Sequence, residues 1–211
     1  MAGALLILVL LINLRILSSS RMAACIDWVA IQGALLAAYA LSAHWEHVDL
    51  ELFALALFTL LLKGLYFPRV LHRAMRKVHS LRETAPFVGY IASLVIGLLA
   101  LAICQWIGSR LPLPDTGISP LAMPVALFCV FSGLFMIIAR KKVVLQAVGY
   151  LVIDSGIFTI GISAFPQTSL LVELGLLLNM AVAVFARGII IYNLSRVFQH
   201  MDSQQLSTLK G

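Results

Sequence analysis

Seven long apolar runs constrain the fold of this 211-residue chain more than any other feature. A bilayer hydrocarbon core needs roughly 20 apolar residues for each spanning helix. Here 62% of the residues are hydrophobic and 11% are charged, whereas a soluble domain is about half apolar and a quarter charged. We therefore predict an all-α fold, a polytopic membrane helical bundle with seven transmembrane helices. The predicted spans are residues 4–17, 23–43, 50–67, 87–107, 121–139, 143–164 and 170–192.

The lysine and arginine residues predict how the bundle is oriented. With seven spans, loops one–two, three–four and five–six share one side with the C-terminus. Of the 15 Lys and Arg residues, Lys63 lies within a span and Arg110 falls on the other side, which leaves thirteen on this side. Because cytoplasmic loops carry the excess of positive charge, we predict the N-terminus outside and the C-terminus inside. The net charge of +6 then comes from basic loops that set the topology, and membrane lipid is a predicted partner. We predict no nucleic-acid partner.

One carboxylate stands out within the apolar runs. Asp154, in GYLVIDSGIF, is the only residue from 143 to 164 that would be charged at neutral pH. A charge near the bilayer centre costs about 2.5–3.5 kcal/mol on insertion scales. At a rise of about 1.5 Å per residue, Asp154 lies roughly 18 Å beyond Lys142, and Lys63 lies about 9 Å deep. We therefore expect no cation of this chain at the level of Asp154. Water, protonation of the acid with a bond to a backbone carbonyl or to Tyr150, or a partner in another subunit would then stabilise it.

Three other ionisable residues in or near the spans have alternative interpretations. Lys63 either extends toward the interface or pairs inward. Asp27 either bonds to Arg21 or water, or has a functional role. Arg187, near a helix end, is either an interfacial anchor or a relay group.

No sequence pattern indicates a catalytic, cofactor or metal site. A phosphate-binding glycine loop, a nucleophile elbow and a Cys or His cluster for haem or iron–sulfur ligation are all missing from the sequence. The two histidines of HWEH flank a tryptophan at a span end, which favours interfacial residues over metal ligands. Cys25, Cys104 and Cys129 each lie in an apolar run and are interpreted as small core or lipid-facing residues. We predict that the chain is not an enzyme by itself.

Short motifs give the chain a resemblance to known membrane proteins. The basic turn RKKVV (140–144) leads into a helix with a glycine and then an acid. Through this pattern the last three spans resemble the K subunit of respiratory complex I and the C subunit of multi-subunit sodium/proton antiporters. The whole chain resembles the membrane component E of hydrogenase-4 and formate hydrogenlyase-type complexes. The motifs concerned are KGLYFP, with Lys63 five residues before Pro68, then GYLVIDSG, and the closing LSTLKG. The resemblance divides the chain into an N-terminal four-helix membrane region (1–118) and a three-helix region (119–211) that resembles the complex I K subunit.

This resemblance implies a non-catalytic subunit of a complex I-like oxidoreductase in a bacterial or archaeal cell (inner) membrane, which the chain crosses several times. The implied partners are antiporter-like and other membrane subunits and a peripheral electron-transfer arm. Nickel–iron or iron–sulfur centres are expected only in the partner subunits, and no cofactor in this chain. The implied role is proton or sodium translocation coupled to electron transfer, together with anchoring of the antiporter-like subunits. The ion-relay candidates are Asp154, Lys63, Asn179 and Tyr150, with Asp27, Arg187 and Glu173 as supporting residues.

Two departures from the complex I pattern keep other interpretations open. The acid of that family would fall at Leu151, three residues before Asp154, and its second acid would fall near Asn179. An asparagine carries no ionisable proton at neutral pH, although it can order water. The alternatives are a purely structural or assembly subunit, in which Asp154 anchors helices, and a small stand-alone ion transporter. The sequence is compatible with hydrogen, formate or carbon monoxide oxidation in the partner module, and with either proton or sodium as the coupled ion.

Overall fold

Apolar segments that span a membrane satisfy their backbone hydrogen bonds internally, and this favours helices. The computed structural model describes residues 2–43, 50–76, 88–111 and 119–164, and its regular elements in these ranges are helical. They are α1 (Ala2–Ser18), α2 (Met22–Ala43), α3 (Leu50–Thr59), a π-helical segment (Leu60–Tyr66), α4 (Phe67–Arg76), α5 (Tyr90–Gly108), α6 (Ala122–Ala139) and α7 (Val143–Ala164).

Four of the described helices are long and apolar enough to cross a membrane, so the protein is a membrane protein whose described residues form an all-helical fold. The four stretches are Met22–Ser42, Tyr90–Gly108, Ala122–Ala139 and Val144–Ser163. These correspond to predicted spans two, four, five and six. Helix α1 is apolar but shorter, and predicted span three is divided between α3 and the π-helical segment. Predicted span seven, the HWEH run and the C-terminal tail lie outside the described residues, so the count of seven spans and the orientation of the termini stay predictions.

Two contacts between distant residues define the ends of the bundle. At one end Arg140, only 1% exposed, donates from Nη2 to the carbonyl oxygen of Leu17 at 2.5 Å. This bond satisfies one of the carbonyls that the last turn of α1 leaves without a helical partner. At the other end the hydroxyl groups of Tyr39 and Ser163 are 3.4 Å apart. Helices α2 and α7 therefore run parallel, from what we call the Arg140 end to the Tyr39 end.

The segment from α3 to α4 runs in the opposite direction. Asp27, near the start of α2, contacts His72 of α4, while Gly33, further along α2, packs on Lys63. Since residue numbers rise along α2 as they fall along the facing segment, the two are antiparallel. The same segment is therefore antiparallel to α7.

Helices α6 and α7 form a close antiparallel pair through glycines. A Cβ atom on Gly133 of α6 would lie 2.5 Å from the backbone oxygen of Gly149 on α7. A Cβ atom on Gly156 would lie 2.7 Å from the backbone oxygen of Ala126. Small residues allow helices in a membrane to approach this closely. Gly149 and Gly156 are seven residues apart and therefore form one packing face of α7, which lies away from Asp154.

The main apolar core lies where α1, α2, α6 and α7 meet, with Phe67 and Leu71 of α4 closing one side. Helix α5 packs on α1 and α6 and is the least buried of the four candidate spans. This arrangement places the centre of α7 deep inside the bundle, next to the π-helical segment.

The π-helical segment follows from the proline that comes after it. Pro68 has no backbone N–H, and in an α-helix its ring would clash with the carbonyl of Gly64. The backbone N–H of Phe67 bonds instead to the oxygen of Leu62, five residues earlier, in the π-helical pattern. Segments of this kind occur often at functional sites, and Lys63 lies within this one.

Candidate functional site

The centre of the bundle holds a buried ion pair between Lys63 and Asp154. The Lys63 Nζ atom is 2.5 Å from the Asp154 Oδ2 atom, and the two side chains are 1% and 2% exposed. The expectation that Asp154 has no cation of its own chain at its level is therefore wrong. Two of the four ion-relay candidates identified from the sequence, Lys63 and Asp154, lie together.

The two charged groups meet because of where their side chains end, which backbone depth alone does not give. Side chains on a helix lean toward its N-terminus. Asp154 on α7 therefore leans toward the Arg140 end, and Lys63, on an antiparallel segment, leans toward the Tyr39 end. The long flexible stem of lysine spans the remaining part of the roughly 9 Å difference in backbone depth.

A glycine on α2 makes room for the lysine. A Cβ atom on Gly33 would lie 2.5 Å from the Lys63 Cβ atom and 3.4 Å from its backbone carbonyl carbon. Any side chain at position 33 would push the π-helical segment away from α2. The glycine in the sequence WVAIQGALL is thus a structural requirement of the site.

Lys63 has two further contacts on α7 besides the carboxylate. Its Nζ atom donates to the Ser155 hydroxyl oxygen at 3.3 Å and lies 5.4 Å from the centroid of the Phe158 ring. A cation over an aromatic face is attracted by the ring quadrupole. The ammonium group therefore has an alternative set of contacts next to the carboxylate. Asp154 Oδ2, apart from the lysine, has no hydrogen-bond partner among the described residues.

Stability alone does not account for such a pair. Replacing a buried ion pair with apolar residues of similar volume is often neutral or stabilising, whereas removing one partner is strongly destabilising. Ionisable residues inside membrane spans are rare, and they mark ion pathways and proton relays. The chemistry available to this pair is the gain and loss of a proton and the movement of a charge between two neighbouring positions.

Tyr150 and Asp27 occupy different places relative to the pair. Tyr150 lies one turn before Asp154 on α7 and is partly buried. Asp27 is 63% exposed, and its Oδ1 atom is 2.9 Å from Nε2 of His72. At about 1.5 Å per residue, it lies roughly 9 Å along α2 from Gly33. Asp27 therefore belongs to a separate surface pair. The sequence analysis expected Arg21 or water as its partner and did not predict the contact with His72.

The remaining sequence candidates, Asn179, Glu173 and Arg187, lie outside the described residues, and their proposed roles stay predictions. All three cysteines are buried and form no disulfide bond with one another, in agreement with the core interpretation. Within residues 2–43, 50–76, 88–111 and 119–164, no three His, Cys, Asp or Glu side chains are grouped to hold a metal ion.

Several buried polar residues near the centre were missed by the sequence reasoning. Ser155, Thr159 and Ser163 are 1%, 0% and 3% exposed, and their spacing of four was visible in the sequence as a single face of α7. Asn13 and Gln32 are both fully buried, and their amide nitrogens lie 2.9 and 3.8 Å from the sulfur of Cys129. An uncharged polar residue in an apolar run indicates a functional site less strongly than a charged one, so the sequence did not single out these residues.

Comparison with known proteins identifies both distant and nearer relatives of the chain. No protein-family model matches the chain, and no solved structure matches it significantly. The chain is 26% identical to hydrogenase-4 component E of Escherichia coli (strain K12) over 151 residues, which cover 71% of this chain and 69% of the relative. The same values hold for hydrogenase-4 component E of Shigella flexneri. This is a distant similarity.

A nearer relative covers almost the whole chain. The uncharacterized protein Rv0085 of Mycobacterium tuberculosis is 33% identical over 192 residues, which are 89% of this chain and 86% of the relative. Identity at this level over most of both proteins establishes common ancestry. The chain therefore belongs to the same protein family as Rv0085.

Proposed function

We propose that the protein is a non-catalytic membrane subunit of a hydrogenase-4-type, complex I-like oxidoreductase complex, in which it contributes to proton or sodium translocation driven by electron transfer. The distant similarity to hydrogenase-4 component E supports membership of such a complex. The observation that carries the ion-translocation role is the Lys63–Asp154 pair, buried on a π-helical segment at the centre of the bundle.

Two arrangements of the lysine give the pair a mechanism. In the first, the ammonium group of Lys63 pairs with the ionised Asp154. When Asp154 takes up a proton, the electrostatic attraction is lost, and the ammonium group moves to the Ser155 hydroxyl and the Phe158 ring, both already within reach. Lys63 lies in the π-helical segment before Pro68, and segments of this kind are frequent at functional sites. Loss of the proton returns the lysine to the carboxylate.

Partner subunits do the redox chemistry in this proposal. The chain supplies a charge that changes position inside the membrane, and neighbouring antiporter-like subunits respond to that charge. The sequence resemblance of the last three spans (119–211) to the complex I K subunit is the reason for this placement. Formate, hydrogen or carbon monoxide oxidation is equally suitable as the source of electrons.

The experiment compares Asp154→Asn with Asp27→Asn in native membrane vesicles. Asp27 is the matched control because it is an exposed aspartate on a neighbouring helix. The amide oxygen of Asn still accepts a hydrogen bond from the Lys63 ammonium group, so the Asp154→Asn complex should assemble, with lower recovery than the unmodified complex. In the assembled complex, ion movement per electron transferred should fall by tenfold or more, while electron transfer by the peripheral arm stays unchanged. Asp27→Asn should leave all three unchanged.

The same variants test the structural alternative, which is favoured by the position of the pair between two helices. If the role of Asp154 is purely structural, the Asp154→Asn complex should assemble and couple ion movement to electron transfer normally, while the Asp154→Leu complex should fail to assemble. Ion transport by the isolated protein in liposomes would instead support a stand-alone transporter.

A further inference from the structure

A line of buried hydroxyl groups extends from the ion pair toward the Tyr39 end. Ser155, Thr159 and Ser163 follow one another at intervals of four along one face of α7. From Ser155 to Ser163 the line covers about 12 Å. Tyr39 of α2, fully buried, meets its far end. We call these four residues, together with Thr59 of α3, the hydroxyl column.

Both ends of the column make polar contacts outside α7. At the near end, Ser155 accepts a hydrogen bond from Lys63 Nζ at 3.3 Å. At the far end, the Ser163 and Tyr39 hydroxyl groups are 3.4 Å apart. The column is therefore connected to the charged pair at one end and approaches the end of the span at the other.

The hydroxyl groups of α7 have unused acceptor capacity. Each donates its proton to the carbonyl oxygen four residues earlier: Ser155 to Leu151 at 2.9 Å, Thr159 to Ser155 at 2.8 Å, and Ser163 to Thr159 at 2.8 Å. A hydroxyl oxygen still accepts two hydrogen bonds when its proton is donated. Neighbours at this spacing have Cβ atoms about 5–6 Å apart, which suits a bridging water better than a direct bond.

Thr59 gives an independent indication of water. Thr59 lies four residues before Lys63 on the α3–α4 segment, which is antiparallel to α7, and so it lies about 6 Å from Lys63 toward the Tyr39 end. Thr59 is fully buried, and its Oγ1 atom has no hydrogen-bond partner among the described residues. Buried polar groups without a protein partner are commonly satisfied by internal water.

We propose that the hydroxyl column holds a file of internal waters through which protons reach the Lys63–Asp154 pair from the Tyr39 end. The proposal rests on the proposed function and adds the route to it. Each step breaks one O–H bond and forms another along the waters, and the net result is the transfer of one proton from bulk water to the Asp154 carboxylate. The hydroxyl groups position the waters and keep their own protons.

Isosteric variants test the route. Thr159→Val and Thr59→Val remove a hydroxyl group and preserve shape, and Thr159→Ser keeps the hydroxyl group. The matched control is Ser132→Ala on α6, since Ser132 is also fully buried and also donates within its own helix, to Cys129 at 3.0 Å. All variants are made in the whole complex and measured in native vesicles as the initial rate of proton movement at a fixed rate of electron transfer.

Both valine variants should lower proton movement by about fivefold or more, the factor that corresponds to one lost hydrogen bond. Thr159→Ser and Ser132→Ala should stay within about twofold of the unmodified protein. Valine variants that behave like Ser132→Ala would overturn the route, and so would sodium as the coupled ion.

Asp154→Asn, measured in parallel, separates failure of the route from failure of the proposed function. Loss of coupling in Asp154→Asn with normal coupling in both valine variants overturns the column alone. Normal coupling in Asp154→Asn overturns the proposed function and the route that depends on it.

Discussion

Replacing one member of the Lys63–Asp154 pair should destabilise the bundle far more than replacing both. The side chains are 1% and 2% exposed, so removal of one leaves a buried charge without its counter-ion. Such a change typically costs about 3–5 kcal/mol, whereas exchange of both partners for apolar residues of similar volume is often neutral or stabilising. We therefore expect Lys63→Met and Asp154→Leu each to destabilise strongly, and the double variant to regain several kcal/mol.

The surroundings of the pair predict which single change is worse. After Asp154→Leu, the ammonium group of Lys63 still has the Ser155 hydroxyl at 3.3 Å and the Phe158 ring at 5.4 Å. A hydrogen bond to a charged group contributes about 1.5–3 kcal/mol. After Lys63→Met, Asp154 Oδ2 is left with no hydrogen-bond partner among the described residues. Lys63→Met should therefore be the more destabilising change.

The assay is a double-mutant cycle on purified protein, with unfolding in mixed detergent micelles followed by circular dichroism. Four proteins suffice: unmodified, Lys63→Met, Asp154→Leu and the double variant. Additive effects, with a coupling below about 0.5 kcal/mol, would refute the reasoning, because independent sites behave in that way.

Two further changes test the packing that positions the pair. Gly133→Ala would bring a Cβ atom to 2.5 Å from the backbone oxygen of Gly149 and should lower the free energy of unfolding by about 1–3 kcal/mol. The control Gly89→Ala should have little effect, because a Cβ atom there meets nothing within 4 Å. Equal unfolding midpoints for the two variants would contradict the close α6–α7 contact. Arg140→Met removes the bond to the Leu17 carbonyl and the stacking of the guanidinium carbon 4.6 Å from the Tyr90 ring. This variant should lower the free energy of unfolding by about 2–3 kcal/mol. The control Lys141→Gln changes an exposed side chain and should lower it by less than about 0.5 kcal/mol. Similar losses in both variants would show that the burial of Arg140 does not matter.

The positions of the helices were largely predictable because span length and apolar composition are local properties of the sequence. The sixth predicted span, 143–164, coincides with α7, and the fifth, 121–139, begins one residue before α6. The division of the third span was not predicted. It arises from Pro68, which lies beyond the end of that run and removes a backbone donor from the turn before it.

The members of the site were predictable, and their pairing was not. An ionisable residue in an apolar run is conspicuous, so Lys63 and Asp154 were identified from the sequence alone. Their contact depends on the lean of side chains on antiparallel helices and on the space left by Gly33, which one-dimensional depth does not contain. Thr159 and Thr59 were missed because a hydroxyl group in an apolar helix is common, and its significance depends on which groups face it across the bundle.

The most direct test of the account is the number of ions moved per electron in the complex that carries Lys63→Met together with Asp154→Leu. The apolar replacement should preserve folding and assembly, so a loss of function cannot be attributed to an unpaired buried charge. The account predicts normal recovery of the complex, normal electron transfer and a loss of at least tenfold in ion movement. A normal ratio of ions to electrons in this double variant would contradict it and leave the pair with a purely structural role.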